Sequence, residues 1–280
     1  MYDLFSDFEE YKIMVKKYKN NKNNFYFLPK DVKKFIEEKR ISYFEYESQL
    51  FLILDQGTYG DLFCFSNDFN MPKFRFNKNL YMTVADRNNY NLQNILQMEK
   101  KLIQYGAEKM ACSYRFSFDL DKNKDEILKL RQKDNEYLEN LGIRFVSGRD
   151  TKLVPQVHEL WKNALPSYSI PFEHINYMNY PEYNVICLID TNYSVVGVHF
   201  LYDINKIRET RHLVISPMFR RKGLGSIMVR HAICDAVANG IRNYRTWIAE
   251  DNTSSLSMHK GFDQNDIISY KYLFKSVESL

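Results

Sequence analysis

Apolar positions along the chain alternate between helical and strand periods, and the alternation restarts near Gly142. Leu4, Phe8, Tyr11, Ile13, Met14, Val15 and Tyr18 recur at near-helical spacing and predict a helix within residues 1–20. An Asn/Lys turn at 20–24 closes it. Asp31 then offers an N-cap to a second helix over 32–38, with Pro29 just outside. Strand-like runs follow at 43–55, 60–66 and 79–85, the first two joined by a turn at Gln56-Gly57-Thr58. An amphipathic helix over 92–105 ends at Gly106, and 109–119 reads as another strand. A charged helix over about 122–141 has the look of a connector with one packed face.

After Gly142 come a strand at 143–146 and a helix over 153–164 that turns Val154, Val157, Leu160 and Trp161 inward. Beyond a tyrosine-rich segment, strands at 184–190 and 194–202 form a hairpin across Asp190-Thr191-Asn192, and a third covers 208–216. A helix over 224–239 is stopped by Gly240, a strand covers 244–249, and a short helix (254–260) and a last strand (267–274) complete the pattern. This alternation predicts an α/β domain with a mixed sheet over 136–280, preceded by a smaller α+β domain over 1–135.

The composition supports two packed domains: 280 residues, 45% hydrophobic and 26% charged, leave little room for disorder. A net charge of +4 without a concentrated basic patch argues against a nucleic-acid partner. The acidic start, Met1 to Glu10, lacks the basic and apolar regions of a signal peptide, and no apolar run nears the ~20 residues of a membrane span. The expectation is a cytoplasmic protein with no membrane partner; nothing in the pattern bears on oligomeric state. Cys64, Cys112, Cys187 and Cys234 sit in apolar or aromatic runs without CxxC spacing, which predicts reduced core thiols and no metal site.

Chemistry concentrates at Leu213-Val214-Ile215-Ser216-Pro217-Met218-Phe219-Arg220-Arg221-Lys222-Gly223-Leu224-Gly225-Ser226. A strand ends at Pro217, which cannot donate to a ladder, and two glycines open a helix. First-turn amides have no intrahelical partner, and with the helix dipole they form an anion site whose rim carries Arg220, Arg221 and Lys222. A pyrophosphate fits such a site; a plain strand-to-helix turn with solvated basic residues fits it too. A dinucleotide-binding fold fits less well, because Met228 stands where tight helix–sheet packing wants Gly or Ala.

Arg220-x-x-Gly223-x-Gly225, following Leu213-x-Ile215-x-Pro217, resembles the motif of the GNAT acetyltransferase superfamily. A second pattern of that family, N-x-x-A/S then G-F, has its counterpart in Asn252-x-x-Ser255 and Gly261-Phe262, about two residues closer together than usual. The resemblance covers about half the chain and implies a GNAT fold with acetyl-CoA as donor substrate. It implies that Leu213, Val214 and Ile215 bind the pantetheine arm and that Arg220, Arg221, Lys222, Gly223, Leu224, Gly225 and Ser226 bind the pyrophosphate. Asn252 contacts that arm or caps its own helix. It further implies N-acetyl transfer to a primary amine of a small molecule or peptide.

Such a transfer needs a proton acceptor for the amine and a proton donor for the leaving thiolate. Glu209 lies on the strand where some family members keep a base, and period-two alternation groups it with Arg211, Leu213 and Ile215. An ion pair with Arg208 or Arg211 is its other reading. His212 falls on the opposite side of that alternation. His259 stands where the family often has an acidic Tyr, and Tyr270 and Tyr272 offer further phenols. The family's acceptor sits against the segment after the first helix, here Tyr168, Phe172, Glu173 and Tyr177; a lid is the alternative. Residues 32–119 echo the order of the central part of the second half, with Ala85 to Asn89 in place of the basic loop and no glycine there, as in a degenerate copy that shapes the acceptor site; a generic α+β domain fits as well. Two other function classes stay open: a non-catalytic CoA- or partner-binding module, and an acyl or aminoacyl transferase using a non-CoA carrier.

Overall fold

Asp7 opens the first regular helix, its carboxylate accepting the Glu10 amide at 2.9 Å. This helix, α1, covers Phe8–Lys17 after a two-residue strand, β1 (Asp3–Leu4). In α2 (Pro29–Glu37) the proline occupies the first turn, where a missing N–H costs nothing. Asp31, expected as the N-cap, lies inside the helix and its carboxylate reaches back to the Leu28 amide at 3.2 Å. The strand expected over 43–55 is a hairpin, β2 (Ile41–Tyr46) and β3 (Gln49–Asp55). Its tight turn is Glu47-Ser48, with φ of 46° and 62°. That conformation usually selects Asn-Gly, so the turn carries no sequence signal.

The chain continues through β4 (Gly60–Phe65), β5 (Leu80–Ala85), α3 (Leu92–Gln104), β6 (Glu108–Asp119) and α4 (Leu120–Asn140). Then come β7 (Arg144–Ser147), α5 (Val154–Ala164), α6 (Phe172–Ile175), β8 (Tyr183–Ile189), β9 (Val195–Ile204) and β10 (Ile207–Ile215). Last are α7 (Leu224–Ala238), β11 (Asn243–Ala249), α8 (Thr253–Met258) and β12 (Asp263–Phe274). This computed structural model describes all residues except 1–2, 22, 24, 26, 67–76, 86–91, 167–168 and 276–280, and the side chains of 85, 92–96, 123–128 and 264–268.

Backbone contacts divide the chain into a unit of residues 1–113 with 267–280 and a unit of residues 114–266, rather than at 135/136. Helix α4, expected as a connector, belongs inside the second unit: Asp134 takes two 2.7 Å bonds from Arg230 of α7. Tyr137 donates to the Lys222 carbonyl at 3.2 Å.

In the first unit the strands run β1-β2-β3-β4-β5, and Ser269–Phe274 of β12 lies antiparallel to β5. Helices α1 and α2 cover one face, burying Tyr11, Val32 and Phe35 on Leu52 and Phe63. Leu102 of α3 packs on the other, against Leu62, Met82 and Tyr272. In the second unit the order is β7-β8-β9-β10-β11, followed by β6. The α5/α6 face buries Val157, Trp161, Tyr177, Phe200 and Val214; the α4/α7 face buries Leu138, Ile227, Met228, Ile233 and Tyr244.

Both units have the same order: a strand, two helices, three antiparallel strands, then a parallel one. β4 meets β5 in parallel at Gly60–Leu80 and Asp61–Tyr81, as β10 meets β11 from Ile207–Asn243 to Thr210–Thr246. The fold is a mixed-sheet α/β architecture with a repeated topology. By the order of the elements the segment between the parallel strands is 66–79; most of the expected counterpart at Ala85–Asn89 lies outside the described residues. Residues 66–79 contain no glycine.

Candidate active site

The first half of β10 is tied firmly to the helix behind it. Arg208, 2% exposed, bonds Asp203 and Asp235 at 2.6 Å each and the Ala232 carbonyl at 2.8 Å. Thr210 Oγ1 lies 2.8 Å from the Tyr244 hydroxyl. The strand then bulges. Between Arg211 and Val214 it spends three residues against two on β9, Phe200 to Val198, and His212 takes a φ of 51°.

The bulge inverts the alternation read from sequence. Arg211 lies opposite Phe200 and Val214 opposite Val198, so both face α5, while Leu213 and Ile215 turn to the α7 side. Glu209, opposite Tyr202, therefore does not share a face with Leu213 and Ile215. Its carboxylate is ion-paired with Arg211 at 2.6 Å. His212, expected on the far side from Glu209, instead joins it on the α5/α6 face. Its Nε2 lies 2.8 Å from His174 Nδ1, and its carbonyl accepts from Trp161 Nε1 at 3.1 Å.

The parallel ladder stops at the same level. Beyond Thr210–Thr246, β10 continues to Ile215 and β11 to Ala249 without further pairing to each other. The chain then passes through a 3-10 turn, Pro217–Phe219, and Arg220 Nε bonds the Ile215 carbonyl at 3.1 Å. Arg221 (φ 61°) and Gly223 (φ 72°) are left-handed, which turns neighbouring amides into a concave array. Helix α7 begins without a side-chain cap; its first internal bond runs from the Ile227 amide to the Gly223 carbonyl, 3.1 Å. The Leu224, Gly225 and Ser226 amides precede that bond and have no intrahelical acceptor. Arg220, Arg221 and Lys222 are exposed beside them. A Cβ on Gly225 would sit 3.0 Å from Met258 Sδ and 3.6 Å from Leu213 Cδ2, so β10, α7 and α8 converge there.

Asn252 caps α8, accepting the Ser255 amide at 3.1 Å. His259 ends that helix, 3% exposed, with Nδ1 2.8 Å from the Ser255 carbonyl. A carbonyl only accepts, so Nδ1 carries the hydrogen. Nε2 is then a bare acceptor, buried and without a hydrogen-bond partner. Burial holds the His259 pKa below the usual histidine value, against a smaller opposing effect of the Ser255 bond. The neutral ring thus presents a proton acceptor at Nε2, where the sequence led us to expect a donor. Tyr270 and Tyr272, the other phenols considered, belong to the core of the first unit.

On the acceptor side, Tyr168 lies outside the described residues. Phe172 begins α6 half-buried. Glu173 is buried, and Tyr177 is buried completely with its hydroxyl donating to the Gly148 carbonyl, a post of the core. Two features went unread in the sequence. Arg149 donates to the carbonyls of Tyr177, Met178, Tyr180 and Tyr183, over 2.5 to 3.4 Å, and so clamps the tyrosine-rich segment. His174, buried, has its pKa held well below the usual value by desolvation first and by His212 and Arg211 second. Neither had a motif; only tertiary folding brings them to their partners.

Residues 154–263 match the model of the Acetyltransferase (GNAT) family. This segment is a GNAT acetyltransferase domain. No curated protein matches the chain. A GCN5-related N-acetyltransferase from Sphaerobacter thermophilus has a similar structure, with TM-score 0.56 and 10% identity over 89% of this chain and 85% of that one. A glucosamine N-acetyltransferase region of a fungal multi-domain β-N-acetylglucosaminidase gives TM-score 0.61 at 10% identity, over 97% of this chain and 38% of that larger one. A tandem GNAT protein from the clavulanic acid biosynthesis pathway gives 0.50 at 13%, over 84% and 82%. At these identities the likeness is one of fold. For the GNAT segment, the family match points to acyl transfer as the general chemistry. Among the described residues no helix is long and apolar enough to cross a membrane, and no group of three or more His, Cys, Asp or Glu is placed to hold a metal.

Proposed function

We propose that the GNAT unit moves an acetyl group from acetyl-CoA directly to a primary amine of a small molecule or peptide. The carrying observation is the end of β10–β11 pairing at Thr210–Thr246, beside a loop with left-handed Arg221 and Gly223. An extended ligand bearing amides can continue the ladder along Leu213, Val214 and Ile215. A diphosphate can take the first-turn amides of Leu224, Gly225 and Ser226, with Arg220, Arg221 and Lys222 neutralising its charge. Asn252 serves this site by capping α8. His259 Nε2, a buried acceptor in need of a donor, suits a thiol or amide hydrogen of the donor substrate.

The acceptor would approach from the α5/α6 face, where Glu209, Phe172 and Glu173 lie and where the bulge brings β10 to its turning point. The acetyl donor supplies an activated thioester; the chain supplies its alignment and the removal of a proton from nitrogen.

Incubation with acetyl-CoA and a panel of amines, followed by free thiol, tests the reading. Thiol release dependent on one amine is the expected result. Tight CoA binding without release with any amine would point to a binding module, and no CoA binding to an acyl or aminoacyl transferase with another carrier.

A further inference from the structure

We infer that Tyr137 of α4 is a positioning residue of the donor site: it holds the Lys222–Gly223 peptide with its N–H turned to the diphosphate. This rests on the donor reading above and extends that site to a helix outside residues 154–263.

The link is one of peptide geometry. The Tyr137 hydroxyl donates to the Lys222 carbonyl at 3.2 Å. That carbonyl and the Gly223 N–H belong to one planar trans unit, in which C=O and N–H point in opposite directions. With the oxygen drawn toward α4, the N–H is turned away from it. The Gly223 N–H makes no hydrogen bond among the described residues. It therefore joins the Leu224, Gly225 and Ser226 amides in the concave array that left-handed Arg221 and Gly223 create. A half-turn of this peptide would reverse the arrangement, and the Lys222 oxygen would then face the diphosphate and repel it. Glycine on one side of the peptide leaves that half-turn sterically open, so the direction has to be set from outside the loop. Tyr137 sets it, and its bond to the oxygen also polarises the N–H of the same peptide into a stronger donor.

Helix α4 is anchored on the very turn whose amides form the site. Asp134, Tyr137 and Leu138 stand at i, i+3 and i+4 and so share the face turned to α7. Asp134 takes both bonds from Arg230, at 2.7 Å each. Leu138 joins Leu224 and Ile227, from the first turn of α7, in one buried cluster. Tyr137 itself is 42% exposed, so its hydroxyl serves the loop rather than the core.

Tyr137→Phe removes the hydroxyl and keeps the ring. Calorimetric titration of the intact proteins should show acetyl-CoA bound about two- to tenfold more weakly by the variant, the worth of one hydrogen bond, at an unchanged melting temperature. Inorganic pyrophosphate, competing with acetyl-CoA, should weaken by the same factor, because the loss lies in the diphosphate contact. In amide spectra the Gly223 resonance should move when pyrophosphate is added to the parent, and move less in the variant. Equal acetyl-CoA affinity in the two proteins overturns the role of Tyr137 while the donor site stands. So does a weaker affinity that comes with a lower melting temperature, or with unaltered pyrophosphate competition. A parent protein that binds no acetyl-CoA overturns the donor reading and this inference together.

Discussion

A left-handed residue, His212, turns β10 over: before it Glu209 and Arg211 face α5, and after it Leu213 and Ile215 face α7. Period-two reasoning assumes an unbroken ladder, so it read the residues before and after the bulge as one face. The loop residues were legible because their chemistry is local: Gly223 adopts φ 72° and Gly225 leaves space that any side chain would contest. Buried histidines were not, because burial is set by distant segments. His199, 2% exposed, is the clearest case. Desolvation first, then His259, pulls its pKa down to about 3, partly opposed by a bond to the Met228 backbone. Its folded value lies below the unfolded one, so the unfolded chain binds the extra proton between about pH 6.5 and 3 and stability falls as pH drops through that window. Above it the contribution is constant. Melting temperatures measured from pH 7 to 4 should fall less steeply in His199→Gln than in the parent; parallel curves would refute this.

At the scale of elements, helices and strands were readable wherever the apolar period was regular, as in α5, α7 and β9. Two failures share a cause. The Glu47-Ser48 turn and the short α6 are held by backbone geometry and by neighbours, not by the residue types that usually mark them. The segment from α6 to β8 owes its course to Arg149. Four carbonyls accept from one guanidinium, and bonds to a charged group contribute about 1.5–3 kcal/mol when intact. Arg149→Met should therefore lower stability by about 2–4 kcal/mol in urea unfolding and raise amide exchange over 177–183. A loss below about 0.5 kcal/mol, the usual range of a surface change, would mean the clamp is incidental.

At the scale of the molecule, the chain writes one topological order twice, yet only the second copy has glycines in the sequence between its parallel strands. The repeat was visible in the sequence as an echo of element order. The exchange at its ends was not, because β12 follows the second copy in the chain while Ser269–Phe274 pairs in the first unit. Removal of residues 267–280 takes Tyr272 and Phe274 out of the core around Met82 and Leu102. Hydrogen exchange should then show β5 losing protection while β8 to β10 keep theirs; loss in both, or in neither, would contradict the assignment of β12 to the first unit.

The central claim concerns the opening between β10 and β11 and the loop after it. Calorimetric titration of acetyl-CoA into the intact protein and into Gly225→Asp tests it directly. The substitution adds a carboxylate among the amides offered to the diphosphate, 3.0 Å from Met258 at its first carbon. Binding by the parent protein, and its loss in a variant that still melts cooperatively, is the predicted result; equal affinity in the two proteins would contradict the site.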